Sequence, residues 1–415
     1  MKNKKIIAFV LALCLLSSCG KVPSASQANS VKQDFTSAPP ANSSSEAPIV
    51  NGDGYKAIWF SYLEWQNLDM TSALSCTQGI TAALDNCKKM GLNRIIVQVR
   101  PFGDAMYKSK IFPQSHLITG TQGQEAEYDP FEIFIEQAHA RGIAIEGWIN
   151  PYRIKLTAEL PQTLSSTNPA VLYPEIVKEA AGGMYYSPSS EKARELIISG
   201  VEELVQNYNI DGVQYDDYFY PVTDAEFDAI EYAQQGNGKE LSEWRRDNVN
   251  ILVKDTYAAI KAIKPNVVFG ISPQGNNENN YTQQYSDVKL WLETKGYVDY
   301  IMPQIYWGYG YLTKSGRTDY QFEKLCRDFA SYPRSGSVKL YIGLGAYRVG
   351  AGDGGAQEQT EWQSGHNLAD MVNTLNTINS ISGYSLYRYD NLFNNADYQK
   401  LASEEVNALS AINIA

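Results

Sequence analysis

Residues 187–221 read SPSSEKARELIISGVEELVQNYNIDGVQYDDYFYP. The first part, 187–209, is amphipathic and opens on a proline with serine and glutamate nearby, which is how a helix N-terminus is written. The second part, DGVQYD at 211–216, is a short run that predicts a buried strand. It ends on two adjacent aspartates, Asp216 and Asp217, followed at once by Tyr218, Phe219, Tyr220 and Pro221. A helix feeding a strand that ends in carboxylates and rings is one unit of an α/β fold.

The same unit recurs along the chain. Strand-like runs are KAIWFSY (56–62), NRIIVQV (93–99), GIAIEGWI (142–149), DGVQYD (211–216), NVVFGIS (266–272), DYIMPQIYW (299–307), KLYIGLGAY (339–347) and GYSLYRY (383–389). Helical patterns lie between them. In DPFEIFIEQAHARG (129–142), Phe131, Phe134, Ile135 and Ala138 recur at helical spacing, and Gly142 is the stop. Another pattern runs from Arg245 to Lys264 and ends at Pro265. Eight strands, each followed by a helix, predict an α/β fold, a parallel sheet closed into a (β/α)8 TIM barrel. An open, doubly wound sheet is the alternative, and the near-regular spacing of eight units favours closure. In such a barrel the chemistry gathers at the C-terminal strand ends. Arg100, Asn150, Asp216, Gln274, Gln304, Tyr306, Arg348 and Arg388 fall there. Long loops at 100–128, 150–187 and 217–243 follow strands two, three and four, so long loops at the C-terminal strand ends build a cleft.

The N-terminus has a different character. Residues 1–19, MKNKKIIAFVLALCLLSSC, combine a basic start with a short apolar run, which predicts a secretory signal. The run is too short for a transmembrane span. Leu16-Ser17-Ser18-Cys19 resembles a bacterial lipobox, which implies cleavage before Cys19 and lipid on its sulfur; a plain secretion signal is the alternative. Residues 20–54 are rich in Ser, Ala, Pro, Asn and Gln and predict a disordered tether. The expected organisation is therefore signal peptide (1–19), tether (20–54) and barrel domain (55–415), a monomer held by lipid on the extracytoplasmic face of the cell membrane.

The formal net charge of -11 argues against a nucleic-acid partner. Cys76, Cys87 and Cys326 remain after processing, an odd number that leaves at least one free thiol. There is no Cys-x-x-Cys, and His116, His139 and His366 are scattered, so neither a metal nor another cofactor is expected.

Side chains alternate along a strand. Gln214 and Asp216 then share a face, as do Glu146, Trp148 and Asn150, Gln98 and Arg100, and Gln304 and Tyr306. If these faces converge on the barrel axis, the mouth holds acids, an arginine, amides and aromatic walls. Glycosidic cleavage needs that inventory: one carboxylic acid to protonate the leaving oxygen, a carboxylate to answer oxocarbenium-like charge, and rings and amides to hold the sugar. The chain has 29 Tyr and 7 Trp. Asp216 is expected to act as nucleophile or base. Asp217, Glu146 or Asp104 is expected to supply the acid. Arg100, Asn150, Arg153, Gln274, Gln304 and Tyr306 are expected to hold hydroxyls or orient the acids, with Trp148, Tyr218 and Trp307 as sugar-contacting rings. Each has a plainer role available. Asp217 could cap a turn, Asp104 a loop, Glu146 could pair with Arg100 or Arg153, and the rings could be core.

Six motifs occur in order: QVRPFGDAMYKS (98–109), YDPFEIFIEQAHARG (128–142), GWINPYR (147–153), DGVQYDDYFYP (211–221), KPNVVFGISPQG (264–275) and DYIMPQIYWG (299–308). Together they resemble the glycosyl-hydrolase-like 10 family from about residue 55 to about 390. The resemblance implies a TIM barrel and a glycan hydrolase. Some family members are implied to act on peptidoglycan strands stripped of stem peptides, and bacterial members are often lipoproteins. The chain departs from the family twice: the family usually has histidine where this chain has Glu146 and Gln214. The strand-four motif is loosely similar to the alpha-amylase clan pattern, which would make Asp216 the nucleophile. The chitinase pattern would put its acid at Tyr218, so that mechanism is not supported by this motif. Three functions compete: a hydrolase of peptide-free peptidoglycan or of a dietary or capsular polysaccharide; a barrel that binds glycan without cutting it; and, less well matched to eight serial units, a solute-capture lipoprotein.

Overall fold

The computed structural model describes residues 54–158, 160–357 and 360–412. The expected signal peptide, Cys19 and the tether up to residue 53 lie outside the described residues. From Tyr55 onward the chain alternates strand and helix. The barrel strands are β1 (Tyr55–Phe60), β2 (Arg94–Arg100), β3 (Ala144–Ile149), β4 (Gly212–Tyr215) and β5 (Val268–Ile271), with β6, β7 and β8 (Gly383–Leu386) completing the set. β6 is broken into Tyr300–Ile301 and Gln304–Ile305 around Met302 and Pro303, because proline cannot donate to the ladder. β7 is likewise split into Lys339–Leu340 and Ile342–Leu344.

All pairings among these strands are parallel. The ladder runs from the second halves of β6 and β7 through β8, β1, β2, β3, β4 and β5 to the first halves of β6 and β7. Its two ends are the same two strands, so the sheet closes on itself. The open doubly wound sheet is thereby set aside.

The principal helices are α1 (Ala73–Lys89), α2 (Pro130–His139), α3 (Glu191–Asn207), α4 (Leu241–Ile263), α5 (Val288–Glu293), α6 (Phe322–Ser331), α7 (Asn367–Leu375) and α8 (Gln399–Ser410), one after each strand. Local chemistry sets their ends. Asp129 caps α2, its Oδ1 accepting from the amides of Phe131 at 3.0 Å and Glu132 at 3.2 Å, with Pro130 in the first turn. Ser190 caps α3 through Ala193 N at 3.2 Å. The buried stripe of α3, which includes Ala193, Leu196, Ile197, Gly200, Val201 and Leu204, lies against the barrel. α4 begins at Leu241, four residues before the expected Arg245, and still ends ahead of Pro265.

The segment 150–187, expected as a loop, carries its own antiparallel sheet. Arg153–Lys155 pairs with Gly183–Tyr186, which pairs with Val177–Ala180. Cys76, Cys87 and Cys326 are all buried and unpaired. Burial pushes the Cys87 thiol up to about 12, so it stays a protonated, packed side chain.

Inside the barrel, Tyr55, Ala57, Trp59, Ile96, Trp148, Tyr300 and Met302 form a core separate from the one between sheet and helices. Hydrogen bonds tie its polar members. Trp59 Nε1 donates to Gln214 Oε1 (2.7 Å), Gln214 Nε2 to Tyr300 OH (2.9 Å), and Tyr300 OH to Glu146 Oε2 (2.5 Å). Tyr55 OH and Arg94 Nη1 complete the shell around Glu146, at 2.9 and 3.0 Å from Oε1.

Candidate active site

The site is built at the end of β4. Gly212–Tyr215 puts Val213 and Tyr215 into the core beneath the helices and Gln214 into the barrel interior. Asp216 is the next inward position. The strand stops there and the chain turns: the amide of Tyr218 donates to Asp216 Oδ1 at 3.2 Å, an Asx-type turn. Strict alternation would aim Asp217 away from Asp216. The turn brings both into one cavity of about 520 Å³ at the barrel mouth.

Rings make most of the wall: Trp59, Trp148, Tyr218, Tyr306, Tyr347 and Tyr387. Tyr306 stacks on Tyr387 with centroids 5.6 Å apart, and Tyr347 stands edge-on to both. Tyr218 is half exposed and sits at the rim. Ser272, Gln304, Asn391 and Arg388 supply polar edges. Among the described residues Asp216 and Asp217 are the only carboxylates in the lining.

Both aspartates are held by donors. Asp216 Oδ2 accepts from Trp148 Nε1 (3.3 Å) and from Asn150 Nδ2. Asn150 is fixed in turn by Gln98 Nε2 (2.5 Å), and Gln98 Oε1 accepts from the amide of Tyr62 (2.9 Å). Asp217 Oδ1 accepts from Gln304 Nε2 at 2.9 Å, and the same nitrogen donates to Ser272 O at 2.8 Å. Gln274 also hydrogen-bonds Asp217. Burial raises both carboxyls, Asp216 further by the charge of Asp217, while Arg153 and the amide donors oppose the rise. Two raised acids side by side share protons in the neutral range, one ionised while the other is not.

The remaining expected site residues sort cleanly. Glu146 does not line the cavity. It is level with Gly212, four residues below Asp216, which puts it about 13 Å deeper in the barrel. There it is paired with Arg94, and neither Arg100 nor Arg153 is its partner. Gln214 lies on the same internal chain, so both departures from the family pattern alter the barrel interior and spare the cavity lining. Arg100 does not share the inward face of Gln98. A register shift between the two lets Arg100 pair with Ile149 and turn outward, its guanidinium 3.6 Å from the centroid of Phe112. Asp104 is fully buried away from the cavity, its Oδ2 accepting from Gln122 Nε2 (2.8 Å) and lying 3.5 Å from His116 Nδ1. Arg153 stays behind the aspartates, donating to Pro101 O at 2.8 Å, and acts on them through its field. Trp307 packs on Tyr320 and Tyr311 outside the cavity lining.

Several wall residues were not expected from sequence. Trp59 and Tyr387 could have been found by alternation, since they continue the inward faces of β1 and β8. Tyr347, Asn391 and Leu63 lie in short helical turns just past strand ends and gave no such signal. Arg388 was visible at a strand end but not its pairing with Glu64, whose Oε1 also accepts from the amide of Asp390. Among the described residues no group of three His, Cys, Asp or Glu side chains could hold a metal ion.

Residues 55–364 match the family model described as glycosyl hydrolase-like 10. Glycosyl hydrolase YngK of Bacillus subtilis (strain 168) is 37% identical over 317 residues, covering 71% of this chain and 61% of that protein. The chain thus spans less than two thirds of that relative's length. Glycosyl hydrolase DigH of Escherichia coli (strain K12) is 32% identical over 390 residues, 84% of this chain and 85% of that protein. Among solved structures, an endo-1,4-beta-mannanase from Rhizomucor miehei superposes with a TM-score of 0.55 at 12% identity, covering 86% of this chain and 94% of its own. The glycoside hydrolase domain of PgaB (BpsB) from Bordetella bronchiseptica gives 0.52 at 14% identity, covering 85% and 98%. At such identities these likenesses establish the barrel fold.

Proposed function

This chain belongs to the glycosyl hydrolase-like 10 family, and we propose that it is a glycoside hydrolase whose chemistry is done by Asp216 and Asp217. In this reading Asp217, as the acid, protonates the leaving oxygen. Asp216 is assigned the carboxylate that faces the developing positive charge because Trp148, Asn150 and the Tyr218 amide all donate to it, although it is raised further than Asp217. The two titrate as one pair, and the pair's proton is assigned to Asp217 on these donors. The observation that carries the reading is the pair itself: two nearly buried carboxylates, both raised by burial, in an aromatic cavity at the C-terminal end of a barrel strand. Rings stack on the C–H faces of sugars, and Gln304, Asn391 and Arg388 offer donors to hydroxyls.

The proposed substrate is the glycan of peptidoglycan freed of stem peptides, reached from a lipid anchor at Cys19 on the outer side of the membrane. Two things support it: the lipobox-like start with a polar tether, and the resemblance of the six motifs to a family with members of that specificity. The test is digestion of peptide-free glycan strands by the purified full-length protein and by Asp216→Asn, with products read by mass. Fragments from wild type alone are expected. Strands bound but uncut by either protein would move the reading to a glycan-binding barrel.

A further inference from the structure

Cleavage by two carboxylates needs them on opposite sides of the anomeric carbon: about 5–5.5 Å apart for a retaining enzyme, about 6.5–9.5 Å for an inverting one, with acid and nucleophile or base on different faces of the sugar. Asp216 and Asp217 are consecutive residues on one strand end, so both reach the cavity from the same wall. Among the described residues the rest of the lining, Tyr306, Tyr347, Tyr387 and Arg388 included, holds no carboxylate.

Among the described residues no other acid lines the cavity. Glu146 is at the barrel floor and Asp104 is in a loop network. Two acids pair with Arg388 and both are engaged: Glu64 Oε2 by the amide and hydroxyl of Ser61 (2.7 and 2.6 Å) and Oε1 by Arg388 and the amide of Asp390, and Asp390 by Asn67 Nδ2 (2.7 Å) and Asn394 Nδ2 (2.6 Å). Asp353 accepts from the amide of Gly308 (2.8 Å) and Trp362 Nε1 (3.1 Å), and Glu361 from the amide of Tyr309 (2.9 Å). The wall tyrosines are raised by burial and are poor nucleophiles.

From this geometry, and resting on the hydrolase reading above, we infer that the nucleophile belongs to the substrate: the sugar on the glycone side of the cleaved bond carries a 2-acetamido group, and its carbonyl oxygen attacks C1. In the first step that oxygen bonds to C1 on the face opposite the leaving group. The C1–O glycosidic bond breaks, and its electron pair stays on the leaving oxygen, which takes the proton of the Asp217 carboxyl. The product is a 1,2-oxazolinium whose N–H donates to the Asp216 carboxylate. In the second step water bonds to C1 on the vacated face and gives a proton to the Asp217 carboxylate. The bond between C1 and the acetamido oxygen breaks, and its electron pair restores the carbonyl. One glycosidic bond has been hydrolysed with retention, and Asp217 is again protonated. Adjacent carboxylates suit this division of labour, because the acetamido nitrogen and the leaving oxygen sit on neighbouring carbons of one ring. The ring of Trp148, whose Nε1 donates to Asp216, gives the acetamido methyl an apolar seat.

The inference separates the competing substrates. Both sugars of peptidoglycan carry 2-acetamido groups; a polymer of plain hexoses has none and would be inert. The full-length protein is to be given peptide-free strands with their acetyl groups intact and the same strands de-N-acetylated to free amines. The first-formed anomer is read by proton NMR, and a thiazoline analogue of N-acetylglucosamine is tested as inhibitor. Expected are cleavage of the acetylated strands with retention, at least a ~100-fold slower cut of the amine strands, and competitive inhibition by the thiazoline. An inverted first product, or equal cutting of both strands, would overturn the inference and leave the hydrolase standing. Cutting of neither would overturn both.

Discussion

The twin aspartates owe their partnership to one turn. Asp216 faces the cavity because it continues the inward set of β4, and Asp217 joins it because the strand ends at Tyr215 and the Tyr218 amide closes back on Asp216. Their environment gives a pH signature. Burial raises Asp216 to about 7 and Asp217 to about 6, values that belong to the pair. Below the lower value both are protonated and the ionised partner is lost; above the higher value both are ionised and the acid is lost. The rate should therefore peak between about pH 6 and 7, and Asp217→Asn should lose its alkaline limb together with roughly 10²–10⁴ in kcat. A flat profile from pH 5 to 8 would contradict this. The same shifts set a stability cost. Carboxyls raised in the folded state favour folding below about pH 4 and lose that contribution as pH rises toward 7. Asp217→Asn should then gain about 2 °C in Tm over wild type at pH 8 and little at pH 4, measured by calorimetry. Glu146 behaves oppositely. Glu146→Gln leaves Arg94 without its counter-charge and should cost about 2 kcal/mol of stability. The kcat of the folded fraction should stay within about twofold, since Glu146 is remote from the cavity.

Alternation decides a face only while the ladder stays in register. On β2 the register slips between Gln98 and Arg100, so Gln98 braces the site and Arg100 leaves it. Arg100 is then packed between Phe112 and α3, where Gly200 makes room: a Cβ there would come within 2.8 Å of Arg100 Nη1 and 2.4 Å of Phe112 Cε2. Gly200→Ala should accordingly destabilise by about 1–3 kcal/mol through overpacking, even though alanine is the better helix former. Urea unfolding would measure it, and a variant as stable as wild type would refute that packing. The strands and helices themselves were largely legible, because runs such as NRIIVQV and caps such as Asp129 and Ser190 act locally. The small sheet inside 150–187 was not, since its short, half-buried strands carry no clean alternation.

At the scale of the molecule, the barrel brings seven of its eight strand ends to one cavity, and the proposed tether sets where that cavity works. If Cys19 carries lipid, Cys19→Ala should move the protein from the membrane fraction to the soluble fraction with the specific activity of the barrel unchanged. A variant that stays with the membrane would rule the lipid anchor out. The acidic chain, with its formal net charge of -11, would approach an anionic envelope more readily from a fixed anchor than by free diffusion.

The sequence by itself determined the strand–helix alternation, the position of the aspartate pair at a strand end and the family, because periodicity, capping and ordered motifs are written within a few residues of one another. Only the tertiary structure decided which acids meet. Glu146, Asp104 and the aspartate pair look alike as carboxylates in or after strands. Depth in the barrel and a register slip are set by pairing between segments far apart in the chain, and the turn that joins Asp217 to Asp216 begins only where that pairing ends. Those pairings leave Asp216 and Asp217, among the described residues, as the carboxylates of a cavity lined largely by rings.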